Sequence, residues 1–378
     1  MNYREHKNSE LATTARISHF KPEGGIGEYH VMVTCHDSRR PYAQQAADAL
    51  ATLKEAEAMM SKKAAPVFKR YFLSDAANQA YKLPKDEPCA VSVIGQAPLN
   101  GTKIAIWAIY QEDMDVRRLP SRLYRADHGH YAHIWGGGMC APDLSSEVAT
   151  IAMLGDYSNS LQRMGCSLAD NCLRTWLFVH DVDINYRGVV HGRNEVFRCS
   201  GLTLDSHFIA STGIGGINPN PNVTVTLDTY AIKGIAAEQI KYLHAPTHLN
   251  PTYEYGVSFE RGTAIDYGDR RHVLISGTAS INNKGEVMYP GDIVRQTARM
   301  IENVEALLRD GEATWDDVAH AIVYLRDPSD YDVVSSIIAE RLPQLPAVFV
   351  LAPVCRTSWL VELECMAIAP HSSSFPAL

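Results

Sequence analysis

The 378-residue chain lacks most of the features that fix a class early. It has no apolar run approaching the roughly 18 residues that a membrane span needs. Its N-terminal MNYREHKNSE is polar and has none of the apolar core of a secretory signal. The eight cysteines, Cys35, Cys89, Cys140, Cys166, Cys172, Cys199, Cys355 and Cys365, form no CxxC pair. That excludes a zinc ribbon, argues against a disulfide framework and makes a reduced, cytoplasmic setting the expectation. A basic excess is missing as well: 35 Lys and Arg against 43 Asp and Glu leave a net charge of −8, a poor complement to a phosphate backbone, so no nucleic-acid partner is expected. Pairs such as Arg39-Arg40 and Lys62-Lys63 read as solvated faces.

Several chemical signatures are absent too. The glycine runs at Gly136–Gly138 and Gly213–Gly216 lack the GKS/T sequence and the strand–helix setting of a phosphate loop. There is no GxSxG elbow and no HExxH. In Asp127–His133, His128 and His130 share a strand face while His133 falls on the other, so neither a metal nor an organic cofactor is expected.

What the chain does contain is internal similarity. Gly165–Asp181 (GCSLADNCLRTWLFVHD) and Gly311–Asp327 (GEATWDDVAHAIVYLRD) align over 17 residues without a gap. Each follows a stretch of helical periodicity. Val148, Ile151, Leu154, Tyr157, Leu161 and Met164 form one apolar face, and Ile293, Met300, Val304, Leu307 and Leu308 form another. Gly165 and Gly311 then stand where helices are capped by a residue of positive φ. A weaker third copy places a helix from Tyr42 to about Ser61 before Phe72-Leu73-Ser74-Asp75. Closing strands ending in Ala-Ile recur at Ile104–Ile109, Leu227–Ile232 and Leu363–Ile368. The expectation is an α+β chain of three units, at 25–112, 125–235 and 250–370, with residues 1–24 loosely held and 370–378 a frayed tail. Each sheet would cover another around a pseudo-threefold axis with its helices outside.

The third copy carries a family resemblance. His272–Gln296 (HVLISGTASINNKGEVMYPGDIVRQ) and Leu360–Pro370 (LVELECMAIAP) resemble the Rid (YjgF-type) superfamily. Arg174-Thr175-Trp176, Ile184–Tyr186, Arg193-Asn194, Phe197 and Tyr255–Arg261 (YGVSFER) are similar to its chorismatase branch. The resemblance implies three tandem Rid-like (chorismate-mutase-like) units in a pseudo-threefold barrel, with pockets at the seams. It also implies a small carboxylated metabolite as ligand. The chain would be a monomer that mimics a trimer, or a homo-oligomer. One departure matters: Rid-type deaminases carry an Arg after the Pro-Ala of the penultimate strand, and here Pro346-Ala347 is followed by Val348. Simple enamine deamination loses its carboxylate grip, whereas chorismatases rely on a late acid and other arginines.

In Leu360–Glu364 the alternation of a strand puts Glu362 and Glu364 on one face. A carboxylic acid in a partly dry seam has a raised pKa and can protonate an enol ether or enamine carbon. Glu362 is the expected acid, with Glu364 in reserve. Arg356 and Arg261 are the expected carboxylate clamps, since a guanidinium binds a carboxylate bidentately. Tyr255 and Gly277-Thr278-Ala279 are expected to orient the ligand. Cys355 is counted with the ligand-binding residues; Arg356 beside it gives a reason for a lowered pKa, while a free structural cysteine is the more common case. The reading is a metal-independent lyase or hydrolase. An imine deaminase and a binding-only protein of the same fold are the alternatives, and an RNA nuclease is disfavoured by the negative charge.

Overall fold

Three six-stranded sheets follow one another along the chain, each built to the same strand plan. The structure is a computed structural model that describes residues 1–378, the side chain of Tyr255 excepted. Unit one comprises β1 (Asn2–Asn8), β2 (Thr13–Phe20), β3 (Glu28–Cys35), α1 (Tyr42–Ala58), β4 (Ala64–Leu73), α2 (Ala76–Gln79), β5 (Ala90–Gly95) and β6 (Ile104–Glu112). Unit two comprises β7 (Asp115–Arg118), β8 (Leu123–His128), β9 (Tyr131–Cys140), α3 (Ser146–Arg163), α4 (Leu168–Asn171), β10 (Cys172–Val179), α5 (Val182–Cys199), β11 (Ala210–Gly215) and β12 (Val225–Lys233). Unit three comprises β13 (Ile240–Leu243), β14 (Gly262–Asp266), β15 (Arg270–Ala279), α6 (Ile293–Asp310), β16 (Val318–Leu325), α7 (Tyr331–Arg341), β17 (Ala347–Leu351) and β18 (Val361–Pro370). The orders β1-β2-β3-β6-β4-β5, β7-β8-β9-β12-β10-β11 and β13-β14-β15-β18-β16-β17 are the same topology three times. Among the described residues, no helix is long and apolar enough to cross a membrane.

The last crossover of each unit makes a parallel strand pair, which requires a long connection. Its helix has 18 residues in unit two, 11 in unit three and only four in unit one. That difference shapes the seams. The free edges of β5, β11 and β17 are tied to the next unit at one equivalent place. Gly95 donates to Ile217 O at 2.7 Å, Gly215 to Pro353 O at 2.9 Å and Leu351 to Ala97 O at 2.8 Å. One meets two, two meets three and three returns to one. These are isolated bridges, so the sheets remain three separate sheets and not the closed barrel that the resemblance implied.

The seam between units one and two is packed shut. With only one turn of helix in α2, β5 lies directly on β9, and a Cβ at Gly137 would stand 2.6 Å from the Val91 carbonyl. The glycine run 136–138 thus serves strand approach.

The structure departs from the sequence reading at several points. Residues 1–24 are not loose, since β1 and β2 pair along their whole length and extend the first sheet. The tail is docked: Gly268 donates to Pro376 O at 2.9 Å, and Leu378 is buried. On α3 the buried face runs through Ala149, Met153, Leu154, Tyr157 and Leu161, while Val148 and Ile151 are exposed. Gly165 has φ 71°, but after α6 the positive φ falls on Glu312. Gly311 is needed for space instead, because a Cβ there would meet Val273 at 2.8 Å.

Candidate active site

The seam between units two and three holds a narrow cleft with about 30 Å³ of open space. Its floor is the pair β15–β18. The register of that pair shifts between Ile275 and Thr278, a bulge that falls on Gly277. The bulge and the missing side chain make room for one group: a Cβ at Gly277 would lie 2.0 Å from Oε1 of Glu362. The Gly277 N–H is held by Thr212 Oγ1 at 2.9 Å, across the seam on β11.

Glu362 is 4% exposed. Burial pushes its carboxyl up to about 8, the nearby charge of Glu364 adds to the rise, and Arg174 and Arg261 oppose it. At neutral pH the group is therefore a protonated acid. Three guanidinium groups share the walls with it: Arg261 from the bend just ahead of β14, Arg356 at the exposed mouth, and Arg193 from α5. Arg261 is buried and donates to Asn250 O at 3.0 Å and to Asn250 Oδ1 at 3.1 Å. Arg193 is 1% exposed, and its Nε and Nη2 have no partner among the described residues. The Nε1–H of Trp359 is likewise buried without one. Unmet buried donors are costly, and these belong to residues that line the cleft. The arrangement suits a ligand with carboxylates.

Six of the nine residues singled out from the sequence line this cleft: Glu362, Arg356, Arg261, Gly277, Ala279 and Cys355. The side chain of Tyr255 lies outside the described residues. Thr278 does not line the cleft; it is fully buried and donates to Ser276 O at 2.9 Å. Glu364 belongs to a different environment. It accepts from Arg174 at 2.8 Å and from Trp176 Nε1 at 2.9 Å. It faces an inner cavity between the sheets, near the ion pair Arg70–Asp228 at 2.8 Å. Glu364 thus acts on the cleft through its charge. The Cys355 thiol fits the structural reading and not the activated one: burial and Glu362 push it up to about 12, outweighing Arg356 and Arg193.

Tyr186, Arg193, Thr212, Phe259 and Trp359 were not singled out as site residues. Arg193 had a signal, an arginine on the inner face of an otherwise amphipathic helix, but one sequence does not show which face meets a neighbouring unit.

Comparison with known proteins gives a consistent picture. The family model described as Endoribonuclease L-PSP matches residues 263–369. A 3-hydroxybenzoate synthase of Streptomyces hygroscopicus is 27% identical over 273 residues, covering 63% of this chain and 77% of that protein. A RutC family protein of Pyrococcus abyssi is 31% identical over 97 residues, 26% of this chain and 76% of that one. Among solved structures, a chorismatase matches with a TM-score of 0.65 at 18% identity, over 80% of this chain and 92% of that one. That likeness establishes a chorismatase-type fold.

Proposed function

The chain belongs to the Rid family, the group of RutC and endoribonuclease L-PSP-type proteins, and from that premise we propose that it is a chorismatase-type lyase or hydrolase acting on a small carboxylated enol ether. The observation that carries the reading is a buried, protonated Glu362 in a cleft lined by three arginines.

Glu362 delivers its proton to the terminal carbon of the vinyl group, leaving an oxocarbenium centre. Water adds to that centre, and the hemiketal collapses to a 2-oxo acid and a ring alcohol. The proton released on water addition returns to Glu362, so the cycle balances. Arg193 and Trp359 supply donors that a bound carboxylate would satisfy, and Arg261 and Arg356 hold the second anionic group. No step requires a cofactor. As it stands the cleft has room for about one water. A ring-sized substrate would need the cleft to widen.

The test is incubation with chorismate and an assay for pyruvate, with Glu362→Gln alongside. Release by the wild type and its loss in the variant support the reading. Stabilisation by carboxylates with no pyruvate over hours would point to a binding protein of the same fold.

A further inference from the structure

The three seams are tied at equivalent places but have not been put to equivalent use. The seam between units three and one holds a cleft of about 820 Å³, against about 30 Å³ at Glu362. The strand registers say what replaced the catalytic set there. Val348 pairs with Ile322 as Thr212 pairs with Trp176. Arg16 lies opposite Met32 as Arg261 lies opposite Ser276, so an arginine is kept at this position. Ala105 pairs with Phe72 as Glu362 pairs with Tyr324, so Ala105 stands where Glu362 stands and Trp107, opposite Arg70, where Glu364 stands; the count back from Ala-Ile, which points to Lys103, is two residues out in unit one. The acid and the wall hydroxyl are gone while the arginine is kept, so this cleft cannot repeat the proposed chemistry but can still hold an anion.

It has nevertheless stayed open, and its two walls differ. The unit-three wall is largely apolar, with Ile338, Leu342, Leu345 and Phe349 from α7, β17 and the turn between them. The unit-one wall is polar. Lys7 and Arg16 both reach Glu5, at 2.6 and 3.3 Å, so two cations share one carboxylate and a positive charge is left over. Thr14 Oγ1 and His36 Nε2 sit at 2.7 Å from each other on the same wall. An apolar wall facing surplus positive charge, in a concavity of ligand size, matches an organic anion with an apolar body. We propose that this seam is a second, non-catalytic binding site for a small aromatic or alicyclic monocarboxylate, whose carboxylate lies by Arg16 and Lys7 and whose ring lies on Ile338 and Phe349. It does not depend on the reading of the Glu362 cleft.

The experiment titrates the full chain with benzoate by calorimetry, comparing the wild type with Ala339→Trp, which fills the cleft from the exposed side of α7, and with Arg16→Ala. The expected result is a binding event in the wild type that weakens at least tenfold in both variants. Their melting temperatures and chorismate turnover should stay unchanged. A wild-type crystal soaked with benzoate should show it between Arg16 and Phe349. No binding by the wild type, or equal binding by all three proteins, overturns the proposal. So does a change of oligomeric state in Ala339→Trp by light scattering, which would mean that another copy of the chain covers the cleft. Failure of the Glu362 reading would show in turnover alone and leave this titration intact.

Discussion

A carboxyl raised to about 8 by burial works as an acid only while it holds its proton. Turnover should therefore be flat through neutral pH and fall above about pH 8, and a pH–rate profile checks it. Glu362→Gln keeps the shape but has no proton to give, so activity should drop by about 10²–10⁴. The same group makes a stability statement. Its pKa is higher folded than unfolded, so the native state binds the extra proton. Stability then declines as pH rises from about 4.5 to about 8, by on the order of a few kcal/mol. Glu362→Gln should abolish that decline in melts recorded at pH 5 and pH 9. Gly277→Ala is a third test, because its methyl would stand 2.0 Å from Glu362 Oε1 and force the carboxyl to move. At least a hundredfold loss of turnover is expected, with most of the fold retained, by assay and circular dichroism.

At the level of elements, the close approach of β5 and β9 makes a sharp prediction. Gly137→Val must push the Val91 backbone away, at a cost of about 1–3 kcal/mol, visible as a melting temperature several degrees lower. Much of this level was legible in the sequence. The strands inside the repeat 165–181 and 311–327 are buried throughout, as are the Ala-Ile endings, and there hydrophobic pattern dominates. The strands β1, β7 and β13 escaped notice because they are sheet edges, largely exposed and polar: NYREHKN reads as loop until its neighbour is known. Another repeat went unseen. His30, His133 and His272 each pair opposite the isoleucine of a closing Ala-Ile, all three buried. Their partners differ, Glu28 for two of them and Tyr230 for the third, so no shared motif surrounds them. At the cleft, Glu362, Arg356 and Arg261 all belong to unit three and were accessible to reasoning. Arg193 comes from another unit, and only the seam brings it there.

On the scale of the whole molecule, charge buried between the sheets joins all three units. Arg70 of unit one pairs with Asp228 of unit two and lies 3.7 Å from Glu364 of unit three. It is also enclosed by Phe68, Trp107, Trp176 and Phe178. Arg70→Leu would strand the Asp228 carboxylate, and the expected loss is about 3–5 kcal/mol by denaturant titration. Arg70→Leu combined with Asp228→Leu should recover much of it, since the uncompensated charge is what costs. The ring of ties from one to two, two to three and three to one has a consequence of its own. Where identical copies meet, every substitution is made three times over, and no interface can change without its siblings. Covalent linkage lifts that constraint here. One junction is free to react, one to open and one to seal, and each can go on diverging without dragging the others along.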